Sequence, residues 1–442
     1  MELRTGDNGM KIAIVGCGIA GMSAAYDLIN AGHEVEIFES SPEPGGLAGG
    51  FKEPQWDWSL EKFYHHWFLS DHHMFELIEE LGLSDRVVIK QPKTVMYHNG
   101  QFYPFDSIPA AILYPGLGWG LNKIRFGLAT LYIRLTRNWK PMEHTTVDKW
   151  MRKWAGETAY NQMWLPMLDG KFGERYARQV NMAWMWARLH SRTTKLATFE
   201  GGFQAFADAF AAELQKRGAV IHYNTSTTGI HTREGGGFVL TYGDKSREFD
   251  RCLVTLSPAL MTKIAPELPN DYLQGLLNLK SLGAVVMVLA INQPLSSKGY
   301  YWFNLPKSAG FPFLALVEHT NFLPKEYYGG DHLLYCGDYL ETDHEYFKLS
   351  QDELLQRFLP ALQRINPEFK PDWVRKTWLF RTNYAQPVPL VDHSANIPAI
   401  RTPITGLYFA SMSQVYPWDR GTNFAVEIGR KAARLILTDS QK

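Results

Sequence analysis

Three glycines and a glutamate near the start of the chain are spaced for holding phosphates and a sugar. Gly16, Gly18 and Gly21 stand in the GxGxxG pattern of GCGIAG. The first glycine of such a turn permits a tight reversal, and the second lets the backbone approach a pyrophosphate. The third lets the following helix lie close on its strand. The N–H groups that open this helix, at Ile19 and Ala20, face the negative oxygens. Glu39 stands 18 residues beyond Gly21, where a carboxylate accepts both ribose hydroxyls and disfavours a 2′-phosphate.

That pattern works only if flanking elements hold it. The apolar, β-branched run KIAIV at 11–15 predicts a buried strand, 22–31 a helix ended by Gly32, and 33–38 a second strand finishing at Glu39. Residues 10–39 therefore read as a βαβ dinucleotide unit, and residues 1–9 as a tail. A second glycine cluster follows Ser40, with Gly45, Gly46 and Leu47 leading to Gly49 and Gly50. Backbone without Cβ atoms suits an extended dinucleotide and its ribityl chain, so the cluster favours FAD over NAD.

Further candidates lie in EKFYHHWF at 61–68, the densest polar-aromatic cluster in the chain. It follows 56–60, which reads as a strand, and alternation along a strand would turn only one of His65 and His66 inward. Each is a candidate acid or base, or a buried structural histidine. Glu318 with His319 forms a secondary acid/base pair that a structural hydrogen bond explains as well. Tyr384 and Asp419 flank the last elements of the chain; Asp419 with Arg420 reads as a local ion pair or a ligand clamp. No acidic or cysteine partners accompany the histidines at ligand spacing, so no metal site is expected.

The chain has 442 residues, enough for two lobes, with 45 basic and 45 acidic side chains, so overall charge gives no support for a nucleic-acid partner. Its 14 Trp, 21 Tyr and 25 Phe suit a pocket for a flat or greasy ligand as well as a core. Three scattered cysteines, Cys17, Cys252 and Cys336, offer no CxxC pair or zinc site and fit a reducing, cytoplasmic setting. Residues 108–121 lack charge but are too short and too rich in Pro and Gly to span a bilayer. A basic amphipathic stretch follows, so 108–140 reads either as a peripheral contact with the inner face of a membrane or as a lobe helix with a solvated cationic face.

The stretches IVGCGIAGMSAA at 14–25, Phe38-Glu39 and Gly45-Gly46 resemble the flavoprotein superfamily of monoamine oxidase, protoporphyrinogen oxidase, phytoene desaturase and UDP-galactopyranose mutase. EGGF at 200–203, the strands expected at 218–230 and 251–258, and the segment 405–433 extend the likeness. The resemblance implies an α/β fold: a Rossmann-like FAD-binding domain of the glutathione reductase type, from 10–62, 198–260 and 385–442. An α+β substrate domain, 63–197 and 261–384, would be inserted into it. It further implies an adenine contact at Thr227, and a glycine-led helix at Gly421, Thr422 and Asn423 that closes on the flavin ring.

Three departures stand out. Ser411 and Met412 replace the usual Gly-Asp that holds the ribityl chain, so Ser411 or Ser413 is expected to make that contact. Met287 stands where amine oxidases carry a lysine near flavin N5, and the region just before Thr405 lacks a cysteine for a covalent link, so FAD is expected to be noncovalent. By analogy with the mutases, His65 or His66 would exchange a proton near N5. The expected activity is hydride transfer from a bulky, lipophilic small molecule. The alternatives are a non-redox isomerase, with Arg175, Arg178, Arg188 and Arg381 as candidate diphosphate ligands, and a flavin-binding or redox-sensing protein without turnover.

Overall fold

The computed structural model describes residues 9–441, so positions 1–8 of the expected tail lie outside the described residues. Five strands form one parallel sheet, in the order Val220–His222, Glu34–Phe38, Lys11–Val15, Arg251–Val254, Leu407–Phe409. Alternation along Lys11–Val15 shows why the run is apolar from Ile12 onward. Ile12 and Ile14 pack with the helices Ile19–Asn30, Gly202–Lys216 and Thr422–Ser440, while Ala13 and Val15 pack with Ile230, Leu240 and Phe249 on the opposite face. A parallel strand covered on both faces reads as a near-continuous apolar run. The second cover is a three-stranded antiparallel sheet of Thr227–Thr232, Phe238–Tyr242 and Lys245–Phe249.

The segment expected as one strand at 218–230 is therefore two: Val220–His222 in the parallel sheet, and Thr227–Thr232 in the antiparallel one. Asn224, with positive φ, makes the turn between them. The first helix begins at Ile19 rather than 22, directly on the glycine turn.

The inserted domain is built on a seven-stranded sheet. Val374–Pro387, Ser281–Ile291 and His332–Leu340 are its long antiparallel members, and Ala315–Glu318, Tyr300–Asn304, Lys93–His98 and Gln101–Pro104 complete it. One face packs on the helix Gln351–Ile365 through Val285, Met287 and Leu289. The other carries Val286 and Val288 against Trp56, Tyr301 and Tyr335. A separate helical core around Met151, Tyr160, Phe172 and Trp184 adjoins this sheet.

Candidate functional site: a dinucleotide cradle and an apolar cavity

Gly16 sits at φ +108°, a conformation that side chains resist, and a Cβ on Gly21 would lie 2.1 Å from the Gly16 carbonyl oxygen. Both glycines are thus fixed by the backbone itself. Gly18 faces Gly46 closely enough that a Cβ on Gly46 would come within 3.3 Å of the Gly18 Cα, and Gly45 N–H donates to the Cys17 carbonyl (2.9 Å). The two glycine clusters therefore form one structure. Leu47 lies in the single helical turn Gly46–Ala48 beside it. The helix Ile19–Asn30 starts with no side-chain cap, leaving its first N–H groups, including those of Ile19 and Ala20, for an anion.

Glu39 is buried, accepting N–H groups from Cys17 and Ser41 (both 2.8 Å) and the Ser40 hydroxyl (3.3 Å). A carboxylate has about four acceptor positions, so capacity remains for ribose hydroxyls. The Thr225 N–H donates to the Glu39 carbonyl (2.7 Å), which brings Thr227 alongside; its buried hydroxyl has no partner among the described residues. An uncapped helix start, a Cβ-free groove, an acidic sugar acceptor and an orphaned hydroxyl fit a dinucleotide.

At the other end, the helix Thr422–Ser440 also starts uncapped, at the exposed Gly421. The side chains of Thr422 and Asn423 are already used. Thr422 accepts from the Trp67 indole (2.8 Å), and Asn423 accepts the Met74 N–H (3.1 Å). Their helix start is left without a side-chain cap. Ser411 caps the turn Met412–Gln414, and the Tyr384 hydroxyl reaches Ser413 Oγ (2.7 Å) and Ser411 Oγ (3.5 Å). Half-buried Tyr384 and the two buried serines form one hydrogen-bonded group beside the half-buried Met412.

The expected strand at 56–60 is absent; only Leu60–Glu61 and Trp67–Phe68 are extended pairs, and residues 62–66 form an irregular connection. Strand alternation therefore does not decide between His65 and His66, and both are partly enclosed. Burial pushes His65 down to about 4 and His66 to about 3, so both are neutral at physiological pH. His65 Nδ1 lies 2.5 Å from the Phe63 carbonyl, which can only accept, so Nδ1 carries the proton and Nε2 is the free acceptor.

Glu318 and His319 do not form an acid/base pair. Glu318 accepts the N–H groups of Leu295 and Ser296 (2.8 and 2.9 Å), while His319 Nε2 meets the Tyr328 hydroxyl (2.8 Å). Met287, fully buried, points to the face covered by Gln351–Ile365, so the side chains that share a face with Tyr301 are Val286 and Val288. No lysine occurs anywhere along the strand Ser281–Ile291.

Asp419 is neither a pair with Arg420 alone nor free. It binds Lys171 (2.8 Å) and Arg188 (3.0 Å) and accepts from the Trp184 indole (3.3 Å). Burial alone would raise its pKa, but the charges of Lys171, Arg188 and Arg420 hold it well below the usual carboxylate range. Lys171 had no local signal, since it meets Asp419 across 248 residues. The other candidate arginines are dispersed: Arg175 pairs with Glu341, Arg178 with Asp148, and Arg381 donates to the carbonyls of Tyr346 and Leu349.

A cavity of about 360 Å³ runs from His66 and Tyr301 to Ala111 and Arg134. Its walls are mainly apolar, with Met96, Met163, Met167, Leu189, Trp302 and Leu314 prominent. That size and lining suit a small-molecule site. At its outer end, nine of the 14 exposed large hydrophobic residues among the described residues lie between 112 and 135, with Trp119 at 80% and Leu121 at 82%. Among the described residues no helix is long and apolar enough to cross a membrane, and no group of three or more His, Cys, Asp or Glu is placed to hold a metal.

Sheet, cradle and inserted domain define a flavoprotein with a two-domain, glutathione reductase-type architecture. The chain belongs to the flavin-containing amine oxidoreductase family, whose model matches residues 19–437. It is an FAD-dependent oxidoreductase. It is 23% identical over 474 residues to a 15-cis-phytoene desaturase of Glycine max, covering 98% of this chain and 80% of that protein. A shorter match, 34% over 91 residues, is to a zeta-carotene desaturase of Zea mays; it covers 21% of this chain and 16% of that protein. Among solved structures, a reduced UDP-galactopyranose mutase superposes with a TM-score of 0.75 at 13% identity, covering 97% of this chain and 96% of that one. Cyclohexylamine oxidase from Brevibacterium oxydans IH-35A gives 0.71 at 16%, covering 98% and 100%. These structural likenesses speak to fold.

Proposed function

We propose that this enzyme oxidises a bulky apolar molecule with noncovalently held FAD. The observation that carries this reading is the apolar cavity that ends at His66. FAD, when bound, would supply the hydride acceptor, N5. Gly16, Gly18, Ile19, Ala20, Gly21, Gly45, Gly46 and Leu47 would cradle its phosphates, with Glu39 and Ser40 at the ribose and Thr227 at the adenine. Ser411 and Met412 would lie along the ribityl chain, and Gly421, Thr422 and Asn423 would approach the ring through backbone N–H groups. These residues fall in the segments 10–62, 198–260 and 385–442, and the cavity walls belong to 63–197 and 261–384.

The remaining roles follow from the side chains' states. Neutral His65 and His66 orient substrate by hydrogen bonding rather than as imidazolium acids. Tyr384 positions the Ser411 turn, and Asp419 positions Lys171 and Arg188. The desaturase names of the sequence relatives and the apolar lining both support a lipophilic substrate. The lysine-free strand Ser281–Ile291 argues against an amine. The same reading has the protein work in the cytoplasm, with 108–140 resting on the inner face of the membrane, where apolar exposure and Lys123, Arg125, Arg134, Arg137 and Lys140 coincide.

The test is anaerobic mixing of the FAD-loaded protein with phytoene in detergent. Bleaching of the flavin band with growth of longer-wavelength polyene absorption is expected. No bleaching by phytoene, with flavin emission quenched by UDP-galactopyranose, would overturn the reading in favour of the isomerase.

A further inference from the structure

The apolar cavity contains an unbalanced charge. Arg188 ends the helix Met182–Ser191 and is paired with Asp419, but Arg192, the next residue after that helix, has no carboxylate or carbonyl partner among the described residues. Its closest aromatic neighbour is Phe68, whose ring centroid lies 5.8 Å from the guanidinium. Arg192 is an exposed residue of the cavity wall, and the charge of Arg188, with the protein around it, pulls its pKa down to about 9. It is still a cation at neutral pH. Around it Lys171, Arg188 and Arg420 already share the single carboxylate Asp419. The one carboxylate in the cavity wall is Asp106, beside the opening at Ser107 and Ala111.

A guanidinium beside apolar walls with no carboxylate partner is a ready donor to an incoming anion through charge-assisted hydrogen bonds. The same wall supplies room for a chain, through Met96, Met163, Met167 and Leu314. We propose that the cavity takes an amphiphile, with its apolar chain along the methionine-lined wall and one oxyanion group, carboxylate or phosphate, between Arg188 and Arg192. This rests on the apolar-substrate reading above and extends it: among molecules with an apolar chain, the cavity prefers one with a negative end, which the arginines place near His66. His66, Arg188 and Arg192 line the same cavity, so the imidazole and both guanidinium groups share the space an anion would enter.

The test uses the FAD-loaded protein titrated with octyl phosphate, octanoate, octanol and inorganic phosphate, each below micelle-forming concentration, followed by calorimetry and the flavin difference spectrum. Octyl phosphate and octanoate are expected to bind about tenfold or more tightly than octanol, as a charge-assisted hydrogen bond would give. Arg192→Gln should abolish that preference and Arg192→Lys should keep most of it. Retained flavin absorbance and an unchanged melting temperature show that the variants are folded. Equal binding of octanol and octyl phosphate, or a preference that survives Arg192→Gln, overturns the inference while leaving an apolar substrate in place. Inorganic phosphate binding as tightly as octyl phosphate also overturns it, leaving a bare anion site. If no octyl compound binds, both readings fall.

Discussion

Gly429 rests on Ala20 so closely that a Cβ on Gly429 would lie 2.2 Å from the Ala20 carbonyl oxygen. The helix that begins at the phosphate turn and the helix that ends the chain are thus in backbone contact. Gly429→Ala must push them apart, and overpacking of this kind costs about 1–3 kcal/mol. A lowered melting temperature, with flavin released more readily on dilution, is the expected outcome; an unchanged melt would show that the helices can slide without cost.

Glu39→Ala removes the acceptor for Cys17 and Ser41 N–H groups as well as for the ribose. Losing a charge-assisted contact of about 1.5–3 kcal/mol weakens FAD binding roughly 10- to 100-fold. Titration of deflavinated protein with FAD, read by flavin emission, measures it, and equal affinities would remove Glu39 from the site.

Glu61 gives a pH signature. It is buried, its Oε1 accepts the Phe203 N–H (2.9 Å), and burial pushes its carboxyl up to about 7 despite that bond. The folded pKa lies above the unfolded value of about 4.3, so the folded state holds the proton more tightly. Its contribution is complete below about pH 4.3 and is lost as pH rises through 7. Glu61→Gln should therefore reduce the fall in stability between pH 4.5 and 7.5 seen in urea titrations; Glu318, raised in the same direction by burial, leaves a residual slope. Parallel profiles for the two proteins would refute the assignment.

Asp419 behaves oppositely. Its pKa is depressed, so its stabilisation is present above about pH 3.9 and is lost as pH falls through the lower folded value. Asp419→Asn leaves Lys171 and Arg188 without their carboxylate, a loss of about 3–5 kcal/mol for a broken buried pair. Adding Lys171→Met to that variant should restore part of the melting temperature, because one surplus cation goes with it.

Leu121→Ser, Leu128→Ser and Leu131→Ser together remove part of the exposed apolar row without touching the buried Ala129 and Ile133 on the same helix. Flotation with anionic vesicles should fall several-fold, and wild-type binding should weaken with salt. Equal flotation of variant and wild type would sink the membrane reading.

The cofactor cradle was legible in the sequence because its signals are local: a turn, a capless helix and a carboxylate at fixed intervals. Even there Val220–His222 and Thr227–Thr232 were merged, since nothing in their composition distinguishes two strands from one long strand crossing a turn at Asn224. The catalytic side was less readable. Alternation along a strand does not sort His65 from His66, because the chain is irregular there, and the face that Met287 takes had no sequence signal. Facing in an eleven-residue strand buried on both sides carries no polar–apolar contrast to read. Lys171, Arg188 and Asp419 meet only through tertiary packing, and Arg192 stands out by lacking a partner, which no sequence pattern records.

The parallel sheet draws its strands from residue 11 to residue 409, and its covering helix from 422 to 440. At roughly 5–20 residues per second, a ribosome separates the first strand from the last by roughly 20–80 s. From its own synthesis until that of Leu407–Phe409, Arg251–Val254 presents an open parallel edge, and throughout the interval the face of Ile19–Asn30 that will meet Gly429 is bare. The nascent chain thus emerges with its first strands incomplete, and residues 407–440 close this part of the fold.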